Sequence, residues 1–191
     1  MSRRLLACAV VAFTMLSAGT LRAQPVRVSA GVGFRREWLS SSTPIRVLLG
    51  ATSDQWRKVP ANWPRTIGGF GTRSGVRLLE VSAQLGVMYG TAALLGQDAT
   101  YRPLHRGSPA RRTGHALLGA LTAYRPDGQR VFAPGTLTGA LAAAVVAKQT
   151  LPASTSHGEI VSRGTAMLTN RALRSLWQEF LSPASVPPPA H

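Results

Sequence analysis

The chain has 191 residues, a length for one domain, and carries 22 lysines and arginines against 7 aspartates and glutamates. The formal net charge of +15 suits an anionic partner such as lipid headgroups, lipopolysaccharide or nucleic acid. The one cysteine, Cys8, excludes a disulfide framework and a cysteine metal site. Only Lys58 and Lys148 are lysines, and the arginines are spread out, densest at Arg35-Arg36 and Arg111-Arg112. That is a basic average without the basic stripe that nucleic-acid binding would need, so nucleic acid is not the expected partner.

Residues 1–23, MSRRLLACAVVAFTMLSAGTLRA, are built like a secretory signal peptide. Arg3 and Arg4 form the basic start, Leu5–Leu16 the apolar stretch, and Ala23 the cleavage site before Gln24-Pro25. The apolar stretch falls short of the roughly 20 residues of a membrane span. Cleavage would remove Cys8, Arg3, Arg4 and Arg22, leaving a cysteine-free chain of charge +12. The expected address is exported, periplasmic or envelope-associated, which sets aside ATP-driven and nicotinamide-driven chemistry.

Residues 24–42 read as a flexible lead-in, with Val26, Val28, Val32 and Phe34 able to form a short strand. A helical domain is expected over 43–181. Thr43-Pro44 has the hydroxyl-proline form of a helix start. Ile45, Leu48, Leu49, Thr52 and Trp56 then follow helical spacing toward Lys58 and Pro60. The longest segment opens at Asn62-Trp63-Pro64 and runs to Leu95. Its apolar positions Ile67, Phe70, Leu78, Val81, Leu85, Met88, Ala92 and Leu95 recur every three or four residues. Leu78–Leu95 is apolar enough to suggest a membrane span, but Glu80 and Gln84 within it argue for a packed core helix.

Residues 96–108 form a loop, and Ser108-Pro109 starts a shorter helix over Ala110–Leu121. Tyr124-Arg-Pro-Asp-Gly128 carries turn chemistry and reads as the tip of a hairpin closed by Val131-Phe132. Pro134 opens a helix through Lys148. Ser156-His-Gly-Glu159 fits a capping box for a last helix over 157–181. Its expected apolar face is Ile160, Val161, Gly164, Met167, Leu168, Leu176, Trp177 and Phe180, with Arg163, Arg171 and Arg174 largely off it. The proline-rich tail 182–191 is expected to be disordered. There is no internal repeat. The fold class is all-α, four to five helices with glycine- and alanine-rich packing faces and a small irregular or hairpin insertion near 122–133.

Three glycine pairs fall four residues apart inside the expected helices: Gly71/Gly75, Gly86/Gly90 and Gly135/Gly139, the last continued by Ala143 and Ala147. A helical glycine costs about 1 kcal/mol relative to alanine, so the set calls for an offset. Close helix contact provides one, through internal packing, self-association or a membrane surface.

Chemistry is harder to find. There is no HExxH, no paired metal spacing and no GxSxG, so neither a metal nor a cofactor is expected. The run Gly68-Gly-Phe-Gly-Thr-Arg-Ser-Gly75 lacks the Lys-Ser/Thr ending of a phosphate loop. The best polar constellation is Asp98, Tyr101 and Arg102 in the central loop, with Arg73, Arg77, Arg111 and Arg112 available as partners and His115 as a second acid/base group. A lone acid among arginines suits an ion pair or a cap better than a general base.

Four segments in order resemble an uncharacterised family of exported bacterial helical proteins. They are Gly69-Phe-Gly-Thr-Arg73, Ala93-Leu-Leu-Gly-Gln-Asp98-Ala-Thr-Tyr101, Arg111 with His115-Ala-Leu117, and Tyr124-Arg-Pro-Asp-Gly128 with Phe132. That family carries Gly-Phe/Tyr-Gly-Lys-Arg, Leu-Leu-x-x-Asp-Pro-Arg-Tyr, an arginine-and-histidine helix, and an Arg-x-Asp-x-Gly turn. Here Ala99-Thr100 stands where the family has Pro-Arg, and Leu151-Pro152 where it has Tyr-Pro. The resemblance spans roughly 62–181 and implies export and a helical fold; the family has no established activity.

The expected function is an exported cell-envelope protein, non-enzymatic, structural or membrane-associated. Two other classes stay open: a hydrolase or lyase acting on an anionic envelope polymer through Asp98 and His115, and a soluble polyanion binder.

Overall fold

The computed structural model describes residues 25–181. The signal peptide expected at 1–23 and the disordered tail expected at 182–191 lie outside the described residues. Six helices and one hairpin follow in order: α1 (Pro25–Trp38), α2 (Ser42–Arg57), α3 (Ile67–Leu94), α4 (Pro109–Gly119), β1 (Thr122–Tyr124), β2 (Arg130–Phe132), α5 (Pro134–Thr150) and α6 (His157–Phe180). The fold is mostly helical as expected, with six helices among the described residues instead of four to five.

The added helix is α1, where a flexible lead-in or a short strand was expected. Tertiary contacts account for it, because a helix this short is marginal alone. Phe34 meets Tyr89 of α3 edge-on at 6.5 Å between ring centres, and Trp38 Nε1 donates to Ser82 Oγ at 3.0 Å. Glu37 accepts from the Tyr89 hydroxyl at 2.8 Å.

Helix ends follow the capping chemistry in two of the expected places, Ser108 and Ser156, while α3 starts at Ile67 behind a Thr66 cap and not at Asn62-Trp63-Pro64. Thr66, Ser108 and Ser156 each accept from the amide three residues on, at 3.2, 3.4 and 3.2 Å. Thr43 is an exception: α2 begins one residue earlier, and the Thr43 hydroxyl donates to Glu37 O at 2.9 Å. The capping box is also half-formed, since the Glu159 side chain turns to Arg57 and Arg163. Gly96, at φ 64°, ends α3 in the left-handed conformation, and Gln97 N returns to Ala92 O at 2.8 Å. The hairpin pairs Thr122 with Phe132 and Tyr124 with Arg130. Asp98 extends this sheet by exchanging both backbone bonds with Tyr124, at 2.7 and 2.9 Å.

Helix α3 is the hub, with α1, α2 and α5 packed on it, while α6 lies on α5 and α4. The α3–α5 contact depends on small residues. A Cβ at Gly135 would stand 2.6 Å from Met88 O, and one at Gly139 would stand 2.7 Å from Gln84 O. Ala143 and Ala147 continue the same buried line. By contrast, a Cβ at Gly71, Gly75 or Gly90 would meet nothing within 4 Å, and Gly86 is half-buried. Gly139→Ala is therefore expected to lower stability by about 1–3 kcal/mol through overpacking. Gly90→Ala should raise it by up to about 1 kcal/mol through helix propensity. Urea unfolding of the two variants checks both signs.

One helix turns the opposite way from expectation, and a second keeps Met167 and Leu168 of its expected face in the core but turns other residues of that face outward. In α2 the buried line is Thr43, Val47, Ala51 and Asp54, while Ile45, Leu48, Leu49 and Trp56 face outward. In α6 the buried residues are Arg163, Met167, Ser175 and Glu179, while Val161 and Trp177 of the expected apolar face are exposed. Arg163, expected off that face, is only 2% exposed. Its hydrogen-bond partners are carboxylates on other helices, Glu80 and Asp54, which the periodicity of one helix cannot reveal. Among the described residues no helix is long and apolar enough to cross a membrane. Glu80 and Gln84 are buried in the packed part of α3.

Candidate functional site

Ionisable side chains are concentrated inside the bundle, in three carboxylate-centred groups. The first joins α2, α3 and α6. Asp54 receives Arg77 through Nε at 2.8 Å and through the terminal nitrogen at 2.7 Å, a bidentate fork. Arg77 also donates to Glu80 at 3.1 Å. Arg163 reaches Glu80 at 2.6 Å and Asp54 at 3.0 Å. Glu159 closes the edge, pairing with Arg57 at 2.9 Å and with Arg163 at 3.5 Å.

The second group gathers Glu37 of α1, Arg46 of α2, Tyr89 of α3 and Arg174 of α6. Arg46 also donates to Gln84 Oε1 at 2.8 Å. Burial pulls the Arg46 guanidinium below its usual value, with Glu37 opposing that pull. Burial and then the adjacent Glu37 charge push the Tyr89 hydroxyl upward, so it stays a donor.

The third group centres on Glu179, the most heavily bonded carboxylate in the molecule. Its Oε2 accepts from the Tyr101 hydroxyl at 2.7 Å and the Leu104 amide at 2.8 Å. Its Oε1 accepts from the His105 amide at 2.9 Å and Arg112 Nε at 3.0 Å. Arg112 also donates to the Glu179 backbone carbonyl and lies over the Phe180 ring at 4.4 Å. His105 sits at φ 51°, a conformation a β-carbon disfavours, and the converging amides on Glu179 hold it there.

The residues expected to form one polar cluster separate into three places. Asp98, Tyr101 and His115 do come together around the 96–108 loop. Asp98 accepts from Arg102 at 3.0 Å and from the Thr100 amide at 2.9 Å. Burial opposes its ionisation, but the Thr100 bonds and Arg102 outweigh burial and hold its carboxyl below the usual range. The Tyr101 and His115 rings lie 5.7 Å apart. Both His115 ring nitrogens are occupied, Nε2 by Arg102 O at 3.0 Å and Nδ1 by Arg130 at 3.2 Å. No hydrogen bond joins Asp98 to His115. Arg111 is exposed on the first turn of α4. Arg73 stands near the opposite end of α3, where its buried guanidinium donates to the carbonyls of Val59, Pro60, Trp63, Pro64 and Gly69.

Glu179 was missed by sequence reasoning, as were the roles of Arg130 and Arg163. Scarcity was the available signal. With seven acids among so many arginines, an acid on a helix otherwise apolar or basic is a candidate for burial. Asp127 is the remaining acid; it accepts from the Gln129 amide at 2.9 Å in the hairpin turn. All seven acidic side chains thus accept structural bonds; Glu179, with four donors, is saturated and a poor proton acceptor near neutral pH, while exposed Asp127 accepts a single bond. Among the described residues no three His, Cys, Asp or Glu side chains converge as a metal site requires. A shallow cavity of about 530 Å³ runs along α6, lined by Gly158, Val161, Ser162, Thr165, Ala166, Thr169 and Asn170, with no ionisable group on its wall. Comparison with protein-family models, with curated proteins and with solved structures finds no match.

Proposed function

We propose that this chain is an exported, non-enzymatic protein of the cell envelope, a helical domain that works by contact and packing. The observation that carries the reading is the use of the buried carboxylates in structural bonds, with Asp98 and His115 each held by other partners and not by one another. Outward-facing apolar residues on α2, α5 and α6 support it further, among them Leu49, Leu141, Leu173 and Trp177. Such faces are what a membrane-associated or assembled protein offers a partner. Export rests on the signal-like residues 1–23.

Cell fractionation tests the reading. The protein is expected in the envelope fraction, retained through a high-salt wash and released by carbonate. Recovery as a purely soluble monomer would count against it. A polymer-cleaving activity that falls a thousandfold or more in both Asp98→Asn and His115→Ala, with folding intact, would replace it with the hydrolase or lyase reading.

A further inference from the structure

Resting on that envelope reading, we propose that the α2–α3 connection is a preformed docking tip for an anionic phospholipid surface. Two large apolar side chains stand out of the molecule there. Trp56, in the last turn of α2, is 82% exposed, and Ile67, the first residue of α3, is 92% exposed. Leu48 and Leu49 lead toward them along the outward side of α2. Exposed Lys58 lies two residues after Trp56 and exposed Arg65 two before Ile67, and Arg65 donates to the Trp56 backbone carbonyl at 2.7 Å, which ties the two ends of the connection together.

The unpaired charge at this end of the described residues is positive. The nearest carboxylates, Asp54 and Glu159, are already bound by Arg77, Arg163 and Arg57. Among the described residues, Lys58 and Arg65 therefore have no acid answering them, and Arg73 is bound only to backbone carbonyls. Tryptophan with cationic neighbours is the composition of segments that settle at a membrane–water interface. A second copy of the chain is a poor occupant. It would bring the same cations face to face, and the carboxylates beside them, Asp54 and Glu159, are already paired.

The tip is also held in shape before anything binds. Arg73 is 1% exposed and ties the connection to α3 by donating to Val59 O at 3.0 Å, Pro60 O at 3.3 Å, Trp63 O at 3.1 Å and Pro64 O at 2.9 Å. The same guanidinium lies 5.7 Å from the Trp63 ring centre. A Cβ at Gly69 would overlap Pro64 O, so the connection lies directly on the first turn of α3. Docking then requires little further ordering of this segment.

Co-sedimentation with vesicles tests the proposal, using the purified exported protein. It should bind vesicles of equal parts phosphatidylglycerol and phosphatidylcholine and leave pure phosphatidylcholine largely free. The double variant Lys58→Gln/Arg65→Gln should partition roughly thirtyfold less, two surface cations being removed. Trp56→Ser/Ile67→Ser should lose at least about tenfold. Leu94→Ser/Leu118→Ser, at exposed positions in the last turn of α3 and on α4, should bind as the unaltered protein does. All six positions are exposed or at the surface, so thermal melting should stay unchanged and exclude misfolding as the cause. Equal binding to both vesicle types, wild-type binding by the tip variants, or a dimer that the tip variants abolish would overturn the tip. If the tip fails while fractionation still places the protein in the envelope, the wider reading stands. Recovery as a soluble monomer would overturn that reading whatever the vesicles do.

Discussion

Arg163→Leu is expected to destabilise the protein by about 3–5 kcal/mol, the cost of leaving buried charge without its partner. Arg163 bonds Glu80 at 2.6 Å and Asp54 at 3.0 Å, and both carboxylates are almost completely buried. Without it, Arg77 alone must answer two acids, one through its fork and the other through a single nitrogen at 3.1 Å. Burial already pushes the Glu80 carboxyl upward, with Arg163 foremost among the influences that oppose it. Removing Arg163 drives that carboxyl higher, so the folded variant binds a proton more readily than its unfolded chain. The deficit should therefore be largest near neutral pH and shrink as the solution is acidified. Arg163→Lys should lose less, keeping the charge while giving up the planar fork that spans two acids. Urea unfolding at several pH values measures all of this. A leucine variant within about 1 kcal/mol of wild type would mean that the network contributes nothing net.

The same network explains how far the sequence could be read. Elements marked by local chemistry were legible: Ser108 and Ser156 as caps, Pro134 at a helix start, Gly96 at a helix end, and Asp127-Gly128 in the hairpin turn. Local chemistry does not say which side of a helix is inside. Ile45, Leu48, Leu49 and Trp56 share a face of α2, as their spacing predicts, yet that face is the outer one. Thr43, Val47, Ala51 and Asp54 face inward because the acids and arginines of α3 and α6 wait there. Arg163 and Glu179 are core residues only because of contacts 83 and 78 positions away.

The candidate cluster divides along the same line. Asp98 and Tyr101 are neighbours in sequence, and His115 returns to them through Arg102 O, so their gathering is local. Arg73 sits near the start of a 28-residue helix and Asp98 just past its end. At the usual rise of 1.5 Å per residue that helix is about 42 Å long, which keeps the two apart. The glycine pairs looked alike in sequence. Gly135 and Gly139 meet a neighbouring backbone, because α5 crosses α3 there, whereas a Cβ at Gly71, Gly75 or Gly90 would meet nothing within 4 Å.

Glu179→Gln should cost about 3 kcal/mol at neutral pH, and the cost should vanish in acid. Burial opposes ionisation of Glu179, but bonds from the Tyr101 hydroxyl, the Leu104 amide, Arg112 and the His105 amide outweigh it and hold the carboxyl at about 2. In the unfolded chain a glutamate titrates near 4.3. The folded value is depressed, so the group stabilises the fold fully above the unfolded value and loses that contribution as pH falls toward 2. Every tenfold difference in proton affinity between the folded and unfolded chains corresponds to about 1.4 kcal/mol, which sets the size of the effect. Glutamine keeps the shape of protonated glutamate, so wild type and variant should converge in stability between about pH 4.5 and 2. Taking the difference cancels the titration of the other buried acids, as far as they act independently of Glu179. Locally, the variant should free the loop through Leu104 and His105, whose amides converge on this carboxylate. Hydrogen exchange at those two amides should quicken while protection in α3 and α5 is unchanged. A stability difference that stayed constant from pH 7 to pH 2 would show that the charge of Glu179 is not what ties the loop to α6.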